Sequence, residues 1–235
     1  MRSAIAPTSR FDASFRRSGP EDGSSQPMIH LRITPDAGAA ALSPAVAALH
    51  DGGVVVFPTE TFYGIAVDPR SALAVKRVFD IKRRPPDHPL PLIANDVDQI
   101  LDHVGIMTPL ARRLAWRGWP GPLTLIIPAS PRLCDDVHLS TGRVAVRVPA
   151  SRVARLLAHC AGHAITSTSA NISGESPAST PEQVAGSLGA DIDVLIDAGD
   201  TPAGLPSTIV DATGDAPILV REGVFPWDRV LEFSK

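Results

Sequence analysis

Short apolar runs alternate with longer amphipathic segments from residue 28 to the end of the chain. Residues 54–57 form a continuous apolar run, which is typical of a strand buried on both faces. Residues 71–82 carry apolar side chains at helical spacing behind Ser71, which can cap a helix, and Pro85 and Pro86 prevent its continuation. This alternation of strands and helices predicts an α/β fold with a sizeable mixed sheet.

The same reading assigns most of the remaining chain. The other predicted strands are residues 29–34, 90–94, 123–127, 144–148, 164–168, 194–197, 207–211 and 218–221. The other predicted helices are residues 37–50, 108–116, 151–161 and 180–188, the last opened by Thr180 and Pro181. No break in composition divides residues 28–235, so we expect them to form one domain.

Residues 1–27 differ from the rest, with six serines, four arginines and little apolar periodicity. They are expected to be either a disordered leader or an extension created by start-site choice ahead of Met28. An organelle transit peptide is the third reading, and Asp12, Glu21 and Asp22 weaken it.

The amino-acid composition limits the classes of function that the chain can have. With 44% apolar and 20% charged residues, the chain can form a real core. The net charge of -3 gives no broad basic footprint for nucleic acid, although a local cationic cleft stays open. Two cysteines provide neither a disulfide framework nor a zinc site, which indicates reduced thiols and a cytoplasmic location. No membrane span, secretory signal, P-loop or Rossmann fingerprint is present.

Polar residues crowd at predicted strand ends, where α/β folds place ligands. Residues 58–64 combine hydroxyls, a carboxylate and the only tyrosine, although a capped turn explains them about equally well. Residues 81–90 place three consecutive cations before a proline-rich loop. That arrangement suggests an anion clamp of Lys82, Arg84 and His88, whereas a helix dipole alone would explain one or two cations. Residues 166–174 are hydroxyl- and amide-rich, suiting either a phosphate contact or a polar turn.

Arginines within apolar strands form a fourth group. Arg143 immediately precedes the predicted strand 144–148, Arg147 lies within it, and Arg221 ends another strand. A half-buried guanidinium requires an anionic partner, which is either a ligand or an internal Asp or Glu. Together with the pair Ser207 and Thr208, these side chains outline a cleft for a polyanion and a small zwitterion.

At these residues the chain resembles the YrdC-like family, the threonylcarbamoyl-AMP synthases. The matching stretches occur in family order between residues 52 and 224. They are GGVVVFPTETFYGIAVDP, IKRRPPDHPLPL, WPGPLTLIIP, VAVRVP, ITSTSANISGESP, LPSTIVD and ILVREGV. The resemblance, to the short single-domain form, implies a twisted open α/β sheet with a concave cationic cleft. The chain departs from the family pattern at Ile65, which is a mild change, and at Thr168 and Glu222, and Glu222 adds a negative charge beside Arg221.

The resemblance also implies site residues. It places L-threonine against Thr61, Tyr63, Arg147 and Ser207. It places ATP against Lys82, Arg84, His88, Arg143, Ser167, Ser169, Asn171 and Arg221, with Lys82 and Arg84 as the catalytic cations.

The implied reaction joins L-threonine, bicarbonate and ATP into threonylcarbamoyl-AMP and pyrophosphate. It implies Mg²⁺ carried on the ATP phosphates, no metal held by the protein itself, and no membrane partner. The product would pass to a separate complex that modifies tRNA, and weak direct contact with tRNA stays open. Two alternatives remain: a related carbamoyl-transfer domain, and an RNA-binding module without turnover, which the low aromatic content of 5% disfavours.

Overall fold

The computed structural model describes residues 27–83 and 88–235. Most of the expected leader, and Arg84 of the expected clamp, therefore lie outside the described residues. The strands within these ranges are β1 (Ile29–Arg32), β2 (Val55–Pro58), β3 (Tyr63–Ala66), β4 (Leu92–Ile93), β5 (Leu123–Pro128), β6 (Arg143–Arg147), β7 (Ile165–Thr166), β8 (Thr168–Ser169), β9 (Val194–Asp197), β10 (Thr208–Asp211) and β11 (Ile218–Arg221). The α-helices are α1 (Ser43–His50), α2 (Ala72–Lys82), α3 (Val97–His103), α4 (Pro109–Gly118), α5 (Asp135–His138), α6 (Arg152–Ala161), α7 (Pro181–Leu188) and α8 (Trp227–Ser234).

The strands form two mixed sheets flanked by helices. The first sheet has the order β1-β9-β2-β3-β8, and the second has the order β11-β10-β5-β6-β4-β7. Parallel pairs join β1 to β9, β9 to β2, β10 to β5 and β4 to β6, and the other pairs are antiparallel. The predicted α/β class and mixed pairing are confirmed, but the strands divide between two sheets where the sequence predicted one.

One segment that the sequence predicts as a single strand contributes to both sheets. The apolar run 164–168 breaks at Ser167 into β7, which pairs with β4 in the second sheet, and β8, which pairs with β3 in the first. The Ser167 N–H donates to the carbonyl of Pro91 at 2.7 Å. Apolar periodicity shows that a segment is extended, but it does not show that the segment changes partners halfway.

Strand β2 is buried on both faces, as its continuous apolar run predicts. Val55 and Phe57 pack into a cluster with the apolar faces of α1 and α6, whereas Val56 belongs to the larger cluster on the opposite face. Between these two cores, β2 holds its C-terminal end, and the turn that follows it, in a fixed place.

Five elements differ locally from the sequence reading. The predicted helix 37–50 starts as a 3₁₀ turn and becomes α-helical only at Ser43, because Pro44 cannot continue a helix from its N-terminal side. Strand β3 was not among the strands assigned from the sequence, because a glycine, Gly64, weakens the strand pattern of so short a run. The reading also missed the short helices α3 and α5. It missed α8 as well, whose apolar stripe lies beyond the last recognised motif.

None of the helices in the described ranges is long and apolar enough to cross a membrane.

Two glycine substitutions test the packing, because we expect them to change the free energy of unfolding in opposite directions. A Cβ on Gly105 would lie 2.0 Å from the Pro128 carbonyl oxygen, whereas a Cβ on Gly186, inside α7, meets nothing within 4 Å. We expect Gly105→Ala to lower the free energy of unfolding by about 1–3 kcal/mol. We expect Gly186→Ala to raise it by about 0.5–1 kcal/mol, because alanine favours the helix. Urea unfolding measures both, and equal signs would contradict the packing described.

Candidate functional site

The turn between β2 and β3 is built by its own hydroxyl groups. Thr59 Oγ1 accepts from the N–H groups of Thr61 and Phe62, at 3.1 and 3.3 Å, and donates to the Phe62 carbonyl at 2.7 Å. The Thr61 hydroxyl lies 3.1 Å from the Thr59 hydroxyl. The capped turn anticipated from the sequence is therefore present. It also aims Glu60 away from the turn and towards the second sheet.

Glu60 forms an ion pair with Arg147, at the end of β6. The Arg147 guanidinium donates to Glu60 Oε1, and Glu60 Oε2 accepts the Ser151 N–H at 3.3 Å. Burial lowers the pKa of Arg147, and the charge of Glu60 opposes that shift. The internal acid that the sequence offered as one partner for this arginine is thus Glu60. Contact between Arg147 and a substrate carboxylate stays a prediction.

Lys82 holds the loop after β8. Its side chain is buried, and its ammonium donates to the carbonyls of Ser169 and Asn171 at 2.7 and 3.0 Å and to Asn171 Oδ1 at 3.2 Å. The Ser169 hydroxyl donates to the same Oδ1 at 2.6 Å. Three residues predicted to contact ATP therefore form one cluster, in which Lys82 fixes the conformation of the serine and the asparagine.

Ser207 and Arg221 meet beside the ion pair. The guanidinium of Arg221 donates to the Ser207 carbonyl at 2.8 Å and to Ser207 Oγ at 3.2 Å. Partial burial, followed by the positive charge of Arg147, lowers the pKa of Arg221. Among the described residues, Arg221 has no ion pair with an acidic side chain. Arg147 and Arg221 are close enough for their charges to interact, and of the two only Arg147 has an acidic partner among the described residues, an arrangement that favours an anion beside Arg221.

Tyr63, the first residue of β3, is fully buried and donates its hydroxyl to the Gly199 carbonyl at 2.8 Å. Desolvation raises the pKa of this phenol above its usual range, and the negative charges of Asp197 and Asp200 add to the shift. A second hydrogen bond, from the Ala203 N–H to the Thr61 carbonyl at 3.0 Å, ties the same loop to the turn. The loop between β9 and β10 is thereby fastened beside the site.

Strand pairing connects these groups. Gly64 of β3 faces Ser169 of β8, and the Ala170 N–H donates to the Tyr63 carbonyl at 2.9 Å. Strand β3 therefore connects the Lys82 cluster to the turn that carries Glu60, the partner of Arg147. Ser167 lies at the same junction, where a Cβ on Gly64 would come within 3.2 Å of its hydroxyl.

One predicted residue, Arg143, is not brought into this cluster. Arg143 lies at the exposed start of β6 and pairs with Asp211 at 3.0 Å. His88 is exposed at the edge of a described range, and Arg84 lies outside the described residues. Their contacts with a nucleotide stay predictions.

Two residues of the site were not singled out by sequence reasoning. Glu60 was seen only as the carboxylate of a polar loop. Thr124 was passed over as a member of an apolar strand, but its hydroxyl donates to Ser207 Oγ at 2.9 Å. The available signal was a threonine interrupting the apolar run of β5, because a buried hydroxyl requires a partner.

The chemistry of the cluster suits an anionic, hydroxyl-bearing ligand rather than a resident metal. Apart from the Glu60 carboxylate, which is paired with Arg147, its side chains carry guanidiniums, an ammonium, hydroxyls and an amide. Within the described ranges, no three His, Cys, Asp or Glu residues gather in a way that could hold a metal ion.

Comparisons with known proteins agree with this architecture. A sequence model of the Sua5/YciO/YrdC family, described as "Telomere recombination", matches residues 47–223. A Thiobacillus denitrificans protein named threonylcarbamoyl-AMP synthase is 40% identical over 167 residues, which are 71% of this chain and 88% of that protein. A Bacillus subtilis protein of the same name is 37% identical over 77% of this chain. The Pyrococcus abyssi Sua5 structure complexed with L-threonine has a TM-score of 0.81 and 33% identity, covering 88% of this chain.

The coverage of these relatives differs. This chain spans 53% of the Bacillus subtilis protein and 60% of the Pyrococcus abyssi structure. It therefore spans little more than half the length of those two proteins.

Tyr63 gives a spectroscopic test of this geometry, because it is the only tyrosine. An acid whose pKa is raised by folding keeps its proton in the folded state, while the unfolded chain ionises near pH 10. Stability contributed by Tyr63 is therefore present below about pH 10 and lost above it. We expect no tyrosinate absorbance at 295 nm within seconds of a jump to pH 11, and full absorbance in denaturant. A native midpoint near 10 would contradict the burial, and Tyr63→Phe supplies the blank.

Lys82 and Lys76 make a matched pair of substitutions on α2. Lys82→Met leaves three oxygens of the Ser169–Asn171 loop without their charged donor, so we expect a loss of about 2–4 kcal/mol in the free energy of unfolding. Lys76 is exposed and pairs only with Asp80 across one helical turn, so Lys76→Met should change stability by less than about 0.5 kcal/mol. Similar denaturation midpoints for the two variants would show that the buried contacts of Lys82 are not stabilising.

Proposed function

The chain belongs to the Sua5/YciO/YrdC family, and on that premise we propose that it is a threonylcarbamoyl-AMP synthase. It would join L-threonine, bicarbonate and ATP to give threonylcarbamoyl-AMP and pyrophosphate. The observation that carries the proposal is that Arg147, Arg221 and Ser207 lie at the same end of the second sheet, where Arg147 pairs with Glu60 of the turn that also carries Thr61. A carboxylate-bearing, hydroxyl-bearing amino acid is the small molecule that such a group of side chains fits best.

The chemistry of this reaction explains why cations and hydroxyls would suffice to catalyse it. The amine of threonine attacks bicarbonate with loss of water and gives a carbamate anion. A carbamate oxygen then attacks the α-phosphorus of ATP, and the bond to the β-phosphate oxygen breaks to release pyrophosphate. Both partners are anions, so the main obstacles are repulsion and alignment. Fixed positive charge and fixed donors reduce both obstacles without a general base.

We assign the side chains to the two substrates as follows. Thr61, Tyr63, Arg147 and Ser207 bind threonine. Lys82 and Arg84 act on the phosphates as the catalytic cations. The remaining nucleotide contacts are His88, Arg143, Ser167, Ser169, Asn171 and Arg221.

The hydrogen bonds of Lys82 support one refinement. Because its ammonium holds the carbonyls of Ser169 and Asn171, Lys82 orders the nucleotide loop as well as contributing charge. Tyr63 likewise fastens the loop between β9 and β10, in addition to its assigned place beside threonine.

Magnesium enters this scheme as part of the substrate. Mg²⁺ arrives on the ATP phosphates, where it neutralises charge on the leaving pyrophosphate. The protein side supplies ammonium and guanidinium groups, which are suited to phosphate oxygens and not to a cation.

We further propose that the product passes to a separate complex that transfers the threonylcarbamoyl group to tRNA, and that both steps occur in the cytoplasm. The unpaired, half-buried Cys134 and Cys160 agree with a reducing compartment.

Pyrophosphate release tests the activity and its selectivity together. We expect release to require ATP, bicarbonate and L-threonine, and omission of any one to abolish it. L-Valine has nearly the shape of threonine but lacks the hydroxyl, so a buried polar partner would stay unpaired. We expect at least about a 100-fold lower kcat/KM with valine. ATP turnover that ignores the amino acid would contradict the proposed function, and equal use of valine would contradict the hydroxyl-reading pocket.

A further inference from the structure

Thr124 is almost wholly enclosed in β5, at 2% exposure. Strand β5 runs parallel to β10, and Ser207 immediately precedes β10. Across this pair the Thr124 hydroxyl donates to Ser207 Oγ at 2.9 Å. Among the described residues, Ser207 is the polar partner to which the Thr124 hydroxyl donates. That hydroxyl therefore acts on whatever Ser207 contacts.

The hydrogen bonds of Ser207 determine whether its hydroxyl can donate to a ligand or accept from one. A serine hydroxyl has two lone pairs and one proton. Thr124 donates to one lone pair, and the Arg221 guanidinium donates to the other at 3.2 Å. Among the described residues the Ser207 hydroxyl donates to no protein acceptor. Ser207 is thus held as a donor, with its proton available to an atom outside the protein.

We propose that Thr124 is a positioning residue for the amino-acid substrate. It holds Ser207 so that the hydroxyl proton points at an anionic oxygen of threonine, or of the carbamate formed from it. Arg221 donates to the same Ser207 hydroxyl oxygen and so helps to keep the serine proton free for the substrate. This inference rests on the proposed function, because it takes from it that Ser207 faces threonine.

Two substitutions separate the hydroxyl of Thr124 from its volume. Thr124→Val keeps the shape and removes the donor, and Thr124→Ser keeps the donor and removes a methyl group. We expect Thr124→Val to raise the KM for L-threonine about tenfold, the size of one lost hydrogen bond. The KM for ATP and kcat should stay within about twofold. Thr124→Ser should restore the wild-type KM.

A control addresses general destabilisation. Thr108 also has a hydroxyl that donates to a backbone carbonyl, that of Ala212 at 2.7 Å, and it caps α4. Thr108→Val should lower the melting temperature without changing the KM for threonine. If Thr124→Val does not fold, Thr124→Ala compared with Thr124→Ser makes the same test.

A double-mutant cycle shows whether Thr124 acts through Ser207. Ser207→Ala should raise the KM for threonine, and adding Thr124→Val to it should cause no further rise. An additive effect, an equal loss in Thr124→Val and Thr124→Ser, or a rise confined to the KM for ATP would each overturn the assignment. Failure of the proposed function itself looks different, because the wild-type protein would then release no pyrophosphate in response to threonine.

Discussion

The buried charge of Arg147 is the constraint on which the site depends. A guanidinium does not lose its proton in a protein, so burying it requires a partner that is also held in place. Glu60 is that partner, and it comes from the other sheet. The turn between β2 and β3 must therefore approach the end of β6. Removing one member of such a pair typically costs about 3–5 kcal/mol, because the other charge stays buried alone.

The positions of several neighbours follow from this contact. The turn that carries Glu60 also carries Thr61, and β3 begins directly after it with Tyr63. Both threonine-side candidates are fixed once the ion pair forms. The same pair brings Arg147 close enough to Arg221 to affect its pKa, which concentrates positive charge beside Ser207.

Fixed donors are the common feature of the cluster. Lys82 orders Ser169 and Asn171, Thr124 orders Ser207, and Tyr63 fastens the loop after β9. Each of these three is buried, and each acts on residues nearer the surface. An adenylation between two anions benefits from this arrangement. Donors that are already oriented need no reorganisation when charge develops in the transition state.

The sequence by itself determined the local structure and the chemical character of the site. The alternation of strands and helices indicated the α/β class, and Ser71 and Thr180 cap α2 and α7 as their positions predict. Hydroxyls and cations at strand ends indicated an anion-binding cleft, and the co-ordered motifs indicated the family. These signals could be read because caps, turns and burial patterns depend on residues close together in the chain.

Only the tertiary structure decided which residues meet. Glu60 and Arg147 are 87 positions apart, and Thr124 and Ser207 are 83 apart. Their pairing depends on the order of the strands and on which sheet each strand joins, which side-chain periodicity does not encode. The break at Ser167 also became visible only with both sheets in place, because each half of the run pairs with a strand from a different sheet. The packing of the two sheets decided which partners the buried charges and hydroxyls contact. It thereby decided the hydrogen-bond network of the site.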